Sequence, residues 1–473
     1  MSQTLASGCR SLPKENKMSA KTANRNYTDM TEGSIARAIL LFAVPMMLGG
    51  LFQDLYSMVD MTIAGYTLGD SAIAAISATA AVVSAMNYAS RGYIMGDAIL
   101  ISNAFGEGNL EKTRKTLIAM IEICAAYAVV FTLIFLLAID PLMRFVNTPA
   151  DLYESARSYA VIIILGLSFM IAYNVFACAF RALGNSKVPL YFLIFSSLLN
   201  IALDYLCIVV FKLGVAGAAY ATIFSQLISA VLSGIFFFRM FPEMRFSLSD
   251  LSGTGAIVKD MFPVGISVAI TNSIFAVGSV SIQGAINSLG SDTIIAHASA
   301  QKIRMFATIP SVNIANTVAT FAAQNYGARR YDRITKGIWT GIGLSAVFNV
   351  FTYAVCFFFG GKIVRLITNT ANENVVYMAQ TMLNIEVLFI WAQTMTMSFR
   401  MSIQSLKRKV IPMVGTGVEL VIRCVFAFVI TPLIGFTAIS YAEVASWVIS
   451  GAAMLVCYYI LINGIKAGKY RHI

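Results

Sequence analysis

A carboxylate, Asp60, lies deep in the apolar stretch 43–69, and Asn200 and Asp204 follow about 140 positions later in another apolar stretch. The latter two are four residues apart, so they share one face of a helix. A charged side chain in hydrocarbon costs on the order of 2.5–3.5 kcal/mol by insertion scales, so an intramembrane carboxylate suggests a function by default. We therefore predict that these three residues form part of a cation-binding site.

The residue types of this predicted site leave the identity of the cation open. Carboxylate and amide oxygens suit a hard cation such as Na⁺. Two carboxylates placed close together in a dry site cannot both ionise cheaply, so one of them could instead bind H⁺. The alternative is an Asp–Asn hydrogen-bond network that only fixes helix packing.

The composition places these residues in a membrane protein. Of the 473 residues, 58% are hydrophobic and 12% are charged, against roughly 25% charged in soluble domains. Twelve apolar segments reach about the 20 residues needed to cross a bilayer, so we predict an all-α polytopic membrane protein with twelve transmembrane helices. The segments lie at about 37–65, 73–101, 116–139, 156–180, 188–210, 214–238, 256–286, 293–320, 337–361, 376–399, 410–432 and 435–464.

The distribution of lysine and arginine indicates the orientation. Of the 34 basic residues, 25 lie in the tails and the even-numbered joints, and five lie in the odd-numbered joints. Basic residues favour cytoplasmic loops, so both termini are expected in the cytoplasm. Because the basic residues alternate with spans and form no single patch, no nucleic acid partner is expected. The four within spans are Arg91, Lys302, Arg304 and Arg423.

The chain also repeats itself. Residues 68–75 resemble 289–296, and residues 103–108 resemble 324–329, both at an offset of 221. Six helices were therefore duplicated, with the boundary near 242–255. Two further segments of the first half resemble segments of the second half. They are Phe180-Arg181 with Phe399-Arg400, and Lys187-Val188-Pro189 with Lys409-Val410-Ile411-Pro412.

Six helices is an even number, so the two copies run in the same orientation. Parallel repeats of this kind leave a cavity between two lobes, and rocking of the lobes gives alternating access. The predicted parts are a cytoplasmic tail 1–33, an N-lobe 34–241 with helices 1–6, a cytoplasmic linker 242–255, a C-lobe 256–464 with helices 7–12, and a cytoplasmic tail 465–473.

Several short motifs occur in a fixed order along the chain. They are Pro45 with 55–60 and Gly65, Leu68-Gly69 with Ala74-Ala75, Gly106, 180–189, 200–204, 214–219 with Thr222 and Gln226, and 324–328. Over about residues 35–465, this order resembles the multidrug and toxic compound extrusion (MATE) family of cation-coupled exporters. The resemblance implies a V-shaped pair of six-helix bundles, export of organic cations, and coupling to inward H⁺ or Na⁺.

The resemblance also implies a cation site in the first lobe. The predicted topology supports this independently, because it places four oxygen-bearing side chains in the outer half of the membrane on three helices. These residues are Asp60, Asn200, Asp204 and Thr222.

The second lobe departs from the family pattern. Some members carry a carboxylate on the seventh helix, but residues 263–272 contain no acid, which argues against a coupling site there. Glu419 and Arg423 are four apart on the eleventh helix and could form an ion pair, joined by Lys302. This pair is interpreted either as a structural salt bridge or as a substrate or coupling site.

Other charges within the predicted spans have no counterpart in the family pattern. Arg91 and Asp97 are expected to form a structural pair. Three further acids, if they face the cavity, favour cationic cargo; otherwise they pair with Arg304 or Arg91. These acids are Asp54, Glu386 and Glu443.

We therefore expect a secondary active antiporter that exports organic, cationic and amphipathic compounds in exchange for H⁺ or Na⁺. The alternative is a flippase for lipid-linked precursors, which would need a lateral groove lined by cations and usually more helices. No phosphate-cradling loop occurs, so neither enzymatic activity nor a cofactor beyond the coupling ion is expected. Any metal would be Na⁺ at Asp60, Asn200 and Asp204. We expect a multi-pass monomer in a bacterial plasma or inner membrane, in contact with lipid and a small organic cargo.

Overall fold

The computed structural model describes residues 28–145, 148–368 and 372–469, and these residues are almost entirely helical. Its helices are Ile35–Leu68 (α1), Asp70–Gly106 (α2), Leu110–Phe145 (α3), Tyr153–Leu165 (α4), Leu167–Ala182 (α5), Lys187–Asp204 (α6), Gly214–Met240 (α7), Gly255–Ser288 (α8), Ser291–Gly327 (α9), Tyr331–Thr368 (α10), Glu373–Leu388 (α11), Ile390–Ser405 (α12), Val410–Val425 (α13), Thr431–Ile434 (α14) and Thr437–Lys466 (α15).

These helices form twelve spanning units, as the sequence predicted. Eight helical stretches are long and apolar enough to cross a membrane, and three bent units (α2, α4–α5 and α11–α12) raise the number to eleven. The twelfth unit is α9, which is 37 residues long but contains more polar residues. Helices dominate because backbone N–H and C=O groups in a bilayer must bond within their own segment. The prediction of an all-α polytopic fold is confirmed.

The duplication is visible in the backbone. Left-handed residues, with φ between 53° and 93°, end corresponding turns of the two halves. A π-helical turn follows α6 at Tyr205–Val210, and another follows α13 at Phe426–Ile430. The offset is 221 for most of the chain and 223 around the turns after α5 and α12. The corresponding left-handed pairs are Gly69 with Gly290, Gly108 with Arg329, Gly184 with Lys407, and Gly214 with Gly435.

One predicted repeat is wrong by a helical turn. Helix α5 ends at Ala182 and α12 ends at Ser405, so the position that corresponds to Arg181 is Gln404 and not Arg400. Arg400 lies more than one turn deeper within its helix. The Phe-Arg dipeptides match by residue type only, because the local offset there is 223.

The two lobes pack closely on the side of the molecule where α1 begins and the linker Pro242–Gly253 lies, which we call the linker side. Helix α2 of the N-lobe runs against α8 and α9 of the C-lobe. A Cβ atom on Gly96 would fall 2.8 Å from the Cα atom of Gly265, so only glycine permits this approach. The opposite ends of the helices, which we call the far side, are more exposed, as for Tyr66 (91%) and Val280 (72%). The far side thus carries exposed apolar side chains from both lobes.

Two related hydrogen bonds connect the lobes on the linker side. The amide of Gln324 on α9 donates to the carbonyl of Ala182 at 2.9 Å. The amide of Asn103 on α2 donates to the carbonyl of Ser405 at 3.3 Å. The duplication relates Asn103 to Gln324 and Ala182 to Ser405, so each lobe contributes the same latch to the other.

Candidate functional site

The four residues of the predicted cation site come together in the N-lobe. Asp60 lies on α1, Asn200 and Asp204 lie on α6, and Thr222 lies on α7. Asn200 and Asp204 are almost fully buried, at 1% and 0% exposure, while Asp60 is partly buried. The i, i+4 spacing on α6 therefore points both polar side chains inward, as periodicity alone predicts.

Direct contacts connect α1 and α6 in this site. The hydroxyl of Tyr56, one turn before Asp60, donates a hydrogen bond to the Asn200 side-chain oxygen. Asp60 and Asp204 interact with each other electrostatically. The Thr222 hydroxyl donates to the carbonyl of Ala218 at 3.0 Å, which leaves its oxygen lone pairs available to a cation.

The most unusual feature of the site is that Asp204 is buried with no basic or amide partner. Both of its carboxylate oxygens are buried, and among the described residues their hydrogen-bonding neighbour is another acid, Asp60, while the Asn200 amide nitrogen has no partner. Buried polar groups are almost always paired, and an unpaired buried charge is expensive. Oxygen donors in this state fit either a bound proton or a hard cation such as Na⁺.

Two neighbours of the acids were missed by the sequence analysis. Tyr56 and Tyr159 each interact electrostatically with both Asp60 and Asp204. Tyr56 could have been found, because it lies one turn before Asp60 on the same helix. Tyr159 carries no such signal, because it reaches the site from α4 only through helix packing. The π-helical turn directly after Asp204 was also missed, and such turns are frequent at functional sites.

The predicted ion pair between Glu419 and Arg423 is wrong. Glu419 pairs with Arg400 of α12, at 2.9 Å, and Arg423 pairs with Glu443 of α15, at 2.7 Å. The two side chains are i, i+4 neighbours on α13, but each points to a different adjacent helix. Lys302 is exposed and forms no ion pair with a described residue, so it does not join them.

The acids expected to face the cavity also lie elsewhere. Glu386 is buried, lies 3.1 Å from Arg304, and accepts a hydrogen bond from Ser440 at 2.8 Å. Glu443 lies 2.7 Å from Arg423 and 3.9 Å from Arg304. The alternative prediction, pairing with Arg304, is therefore correct for both acids.

Asp54, the third of these acids, is partly buried on α1. It does not line the small cavity that its neighbour Gln53 lines, and its predicted role in the cleft between the lobes stays a prediction. Glu386 and Glu443 pair with arginines, so they give no support to a preference for cationic cargo.

The expected pair of Arg91 and Asp97 does not form either. Asp97 is fully buried, and one of its carboxylate oxygens has no hydrogen-bond partner among the described residues. Arg91 is exposed and lines a cavity between the lobes. Six residues along a helix correspond to about 600° of rotation, so the two side chains point to clearly different directions.

The C-lobe counterpart of the cation site carries its own positive charge. The offset of 221 relates Thr222 to Glu443, and it relates Asn200 to Val421, two residues before Arg423. Arg423 and Glu443 form a buried ion pair, so the C-lobe has a salt bridge in the region where the N-lobe carries an uncharged amide and a hydroxyl.

A known protein family and individual relatives match this chain over most of its length. A family model described as MatE matches residues 45–206 and 263–429. A protein of Bacillus subtilis (strain 168) named "Probable multidrug resistance protein YpnP" is 28% identical over 309 residues, which is 65% of this chain and 68% of the relative. "Multidrug export protein MepA" of Staphylococcus saprophyticus is 23% identical over 442 residues, which is 93% of this chain and 96% of the relative.

The fold is also found among solved structures. A crystal structure described as "MATE in the bent conformation" has a TM-score of 0.86 at 21% sequence identity. The match covers 93% of this chain and 98% of that chain. At this level of identity the likeness establishes the two-lobed helical fold.

Proposed function

Because the chain belongs to the MatE (MATE) family, whose model matches more than half of its length, we propose that it is a secondary active antiporter for organic compounds. It exports amphipathic cargo in exchange for H⁺ or Na⁺. The names of two relatives, a probable multidrug resistance protein and a multidrug export protein, support drug-like cargo.

One observation carries the proposal for coupling: both carboxylate oxygens of Asp204 are buried, and the side chain with which they interact most directly is another acid, Asp60. A cation bound here would neutralise the charge that the helices otherwise enclose without compensation. Helix α1 belongs to the N-lobe but also contacts α9 of the C-lobe. Cation binding at Asp60 on α1 can therefore alter the packing at the lobe interface.

Coupling requires the ion to bind the two lobe arrangements with different affinities, since a ligand shifts an equilibrium only by that difference. The proposed cycle binds cargo when the linker side is open. Cation binding at Asp60 and Asp204 then favours the arrangement that releases cargo to the opposite side. The protein is placed in a bacterial plasma or inner membrane with its linker and both termini in the cytoplasm, and it acts as a monomer with no cofactor beyond the ion.

The test is transport by the full-length protein in vesicles. Efflux of a fluorescent drug is measured under an imposed H⁺ gradient and, separately, under an imposed Na⁺ gradient. The variants are Asp60→Asn and Asp204→Asn, and the matched control is Asp140→Asn, which changes an exposed acid that pairs with Arg157.

We expect wild-type efflux to follow one gradient, which identifies the ion, and both site variants to lose that dependence. The control variant should retain it. Normal gradient-driven efflux by a correctly inserted Asp204→Asn variant would show that this carboxylate has a structural role only.

A flippase for lipid-linked precursors is the second candidate. It is favoured by the two arginines, Arg91 and Arg181, that line the cavity between the lobes. It is disfavoured by the acidic site of the N-lobe and by the twelve spanning units, because such flippases usually have more helices. Translocation of a labelled lipid in the absence of drug efflux would favour this candidate over the antiporter.

A further inference from the structure

A cavity of about 250 Å³ lies between α1, α2, α5 and α6 of the N-lobe and α9 of the C-lobe. Its wall combines an apolar surface, which includes Met46, Ile94 and Leu193, with a polar surface. Because Asn313 comes from the other lobe, movement of the lobes changes the shape of this cavity. The polar residues of the wall include Gln53, Arg91, Tyr173, Asn174, Arg181 and Asn313.

The cavity carries two positive charges and no negative one. None of its lining residues is an aspartate or a glutamate. Arg181 donates to the sulfur of Cys178 at 2.9 Å, and its guanidinium forms no ion pair with a described residue. Arg91 also forms no ion pair with a described residue, and the charged side chain that interacts with it most strongly is the like-charged Arg181.

In the C-lobe, by contrast, three arginines within the helices have carboxylate partners. Arg304, Arg400 and Arg423 each lie within 3.1 Å of a carboxylate oxygen. Compensation of this kind is expected, because an unpaired charge within a membrane protein is costly and marks a functional site. The two arginines without a carboxylate partner both line the cavity of about 250 Å³.

From this contrast we propose that the cavity binds the anionic group of an amphipathic cargo, a carboxylate or a phosphate, between Arg91 and Arg181. A guanidinium presents a planar set of donors that matches both oxyanions. The side-chain amide of Gln53 offers a further donor, whereas the amides of Asn174 and Asn313 already donate to the carbonyls of Met170 and Ile309. The apolar wall contacts the body of the cargo. The proposal rests on the proposed function in one respect only, namely that a ligand of this cavity is transported.

Three probes with the same eight-carbon chain separate the effect of charge from that of the apolar body: octanoate, octanol and octylammonium. Their binding to the full-length protein in nanodiscs is measured by calorimetry without any ion gradient. The variants are Arg91→Gln, Arg181→Gln and the double variant. Arg91→Lys and Arg181→Lys retain the charge but lose the planar fork. The control is Arg157→Gln, which removes an exposed arginine whose partner is Asp140.

We expect octanoate to bind more tightly than octanol, and octylammonium to bind most weakly. Each glutamine variant should weaken octanoate binding by about tenfold or more, since hydrogen bonds to charged groups are strong. The lysine variants should lose less, and the control should match the wild type. Equal or tighter binding of octylammonium, or unchanged octanoate binding in the double variant, overturns the proposal. Size-exclusion profiles identify any variant that fails to fold, and the lysine variants then carry the test.

A membrane lipid could supply the same oxyanion. The binding experiment is therefore repeated in nanodiscs of phosphatidylcholine alone and in nanodiscs containing phosphatidylglycerol. Octanoate binding that is independent of lipid composition supports a cargo site. Displacement of octanoate by phosphatidylglycerol shows that the lipid phosphate is the resident ligand, and this outcome overturns the cargo assignment.

The two proposals fail in different ways. Octanoate binding that depends on both arginines, without any gradient-driven efflux, would leave the anion site intact and reject the antiporter. Gradient-driven drug efflux that the double variant leaves unchanged, together with absent octanoate binding, would reject the anion site and leave the antiporter intact.

Discussion

The guanidinium of Arg423 lies 2.7 Å from the carboxylate of Glu443, and both side chains are buried in the C-lobe. The duplication relates Glu443 to Thr222 of the N-lobe, and Arg423 lies two residues from the counterpart of Asn200. The C-lobe thus contains a buried arginine in the region where the N-lobe presents oxygen atoms and two interacting acids. From this asymmetry we expect the N-lobe, and not the C-lobe, to bind an exchangeable cation.

Removal of the positive charge of Arg423 should destabilise the protein. Arg423→Met leaves Glu443 buried with only the more distant Arg304, 3.9 Å away, and breaking a buried pair typically costs about 3–5 kcal/mol. We expect a lower thermal unfolding temperature in detergent. Arg423→Met combined with Glu443→Leu should recover much of the loss, because neither charge is then left alone. A double variant that is less stable than the single one would contradict this account.

Glu419 should be coupled energetically to Arg400 and not to Arg423. In a double-mutant cycle with Arg400→Met and Glu419→Gln, residues in contact typically give an interaction energy of about 0.5–3 kcal/mol. The same cycle with Arg423→Met in place of Arg400→Met should give a value near zero. Unfolding free energies measured in mild detergent provide both numbers, and a larger coupling to Arg423 would favour the pairing predicted from i, i+4 spacing.

Tyr56→Phe should weaken the cation site without destroying it. The substitution removes the hydroxyl that donates to Asn200 and keeps the ring. A hydrogen bond of this kind contributes about 0.5–1.5 kcal/mol, which corresponds to a roughly two- to tenfold weaker dependence of efflux on the coupling ion. Apparent ion affinity is measured from efflux at graded H⁺ or Na⁺. Tyr153→Phe is the control, because that hydroxyl bonds Asp140 away from the site.

The paired latches should hold the linker side closed. Gln324→Leu and Asn103→Leu remove the donors that reach Ala182 and Ser405. Each substitution leaves a carbonyl without its partner, which costs about 1–3 kcal/mol where the group stays buried. We expect the double variant to populate an arrangement with separated linker-side ends. Distances between spin labels at the exposed positions 111 and 332 report this change, and an unaltered distance distribution would rule the latch out.

The closest contact between the lobes should tolerate no side chain. In Gly96→Ala the new Cβ atom would lie 2.8 Å from Cα of Gly265 and 2.9 Å from the carbonyl oxygen of Val264, so the backbones must separate at a typical cost of about 1–3 kcal/mol. Gly284→Ala on α8 is the matched control, because its Cβ atom meets nothing within 4 Å. The control should stabilise the helix by up to about 1 kcal/mol. Thermal unfolding of both variants tests whether Gly96→Ala lowers the unfolding temperature and Gly284→Ala raises it.

Features that depend on neighbouring residues along the chain were predictable. The twelve apolar segments, the duplication and the shared face of Asn200 and Asp204 all follow from segment length, offset and helical periodicity. The site of Asp60, Asn200, Asp204 and Thr222 was predicted from the resemblance to the MATE family, and the predicted topology independently places these residues at one depth. These inferences need no knowledge of which helices are neighbours.

Only the tertiary structure determined which charges pair. Glu419 and Arg423 share a helix face by spacing, yet they pair with Arg400 and Glu443, because α13 lies between α12 and α15 and each long side chain reaches a different neighbour. Arg91 and Asp97 also do not pair, because they point in different directions from α2. Arg91 instead lines a cavity together with Arg181. The sequence by itself determined the spans, the repeat and the depth of the acids, because these properties are local. The partners of the intramembrane charges, and therefore the polarity of the cavity, depend on helix packing, because a charge pairs with whatever lies a few ångströms away in space.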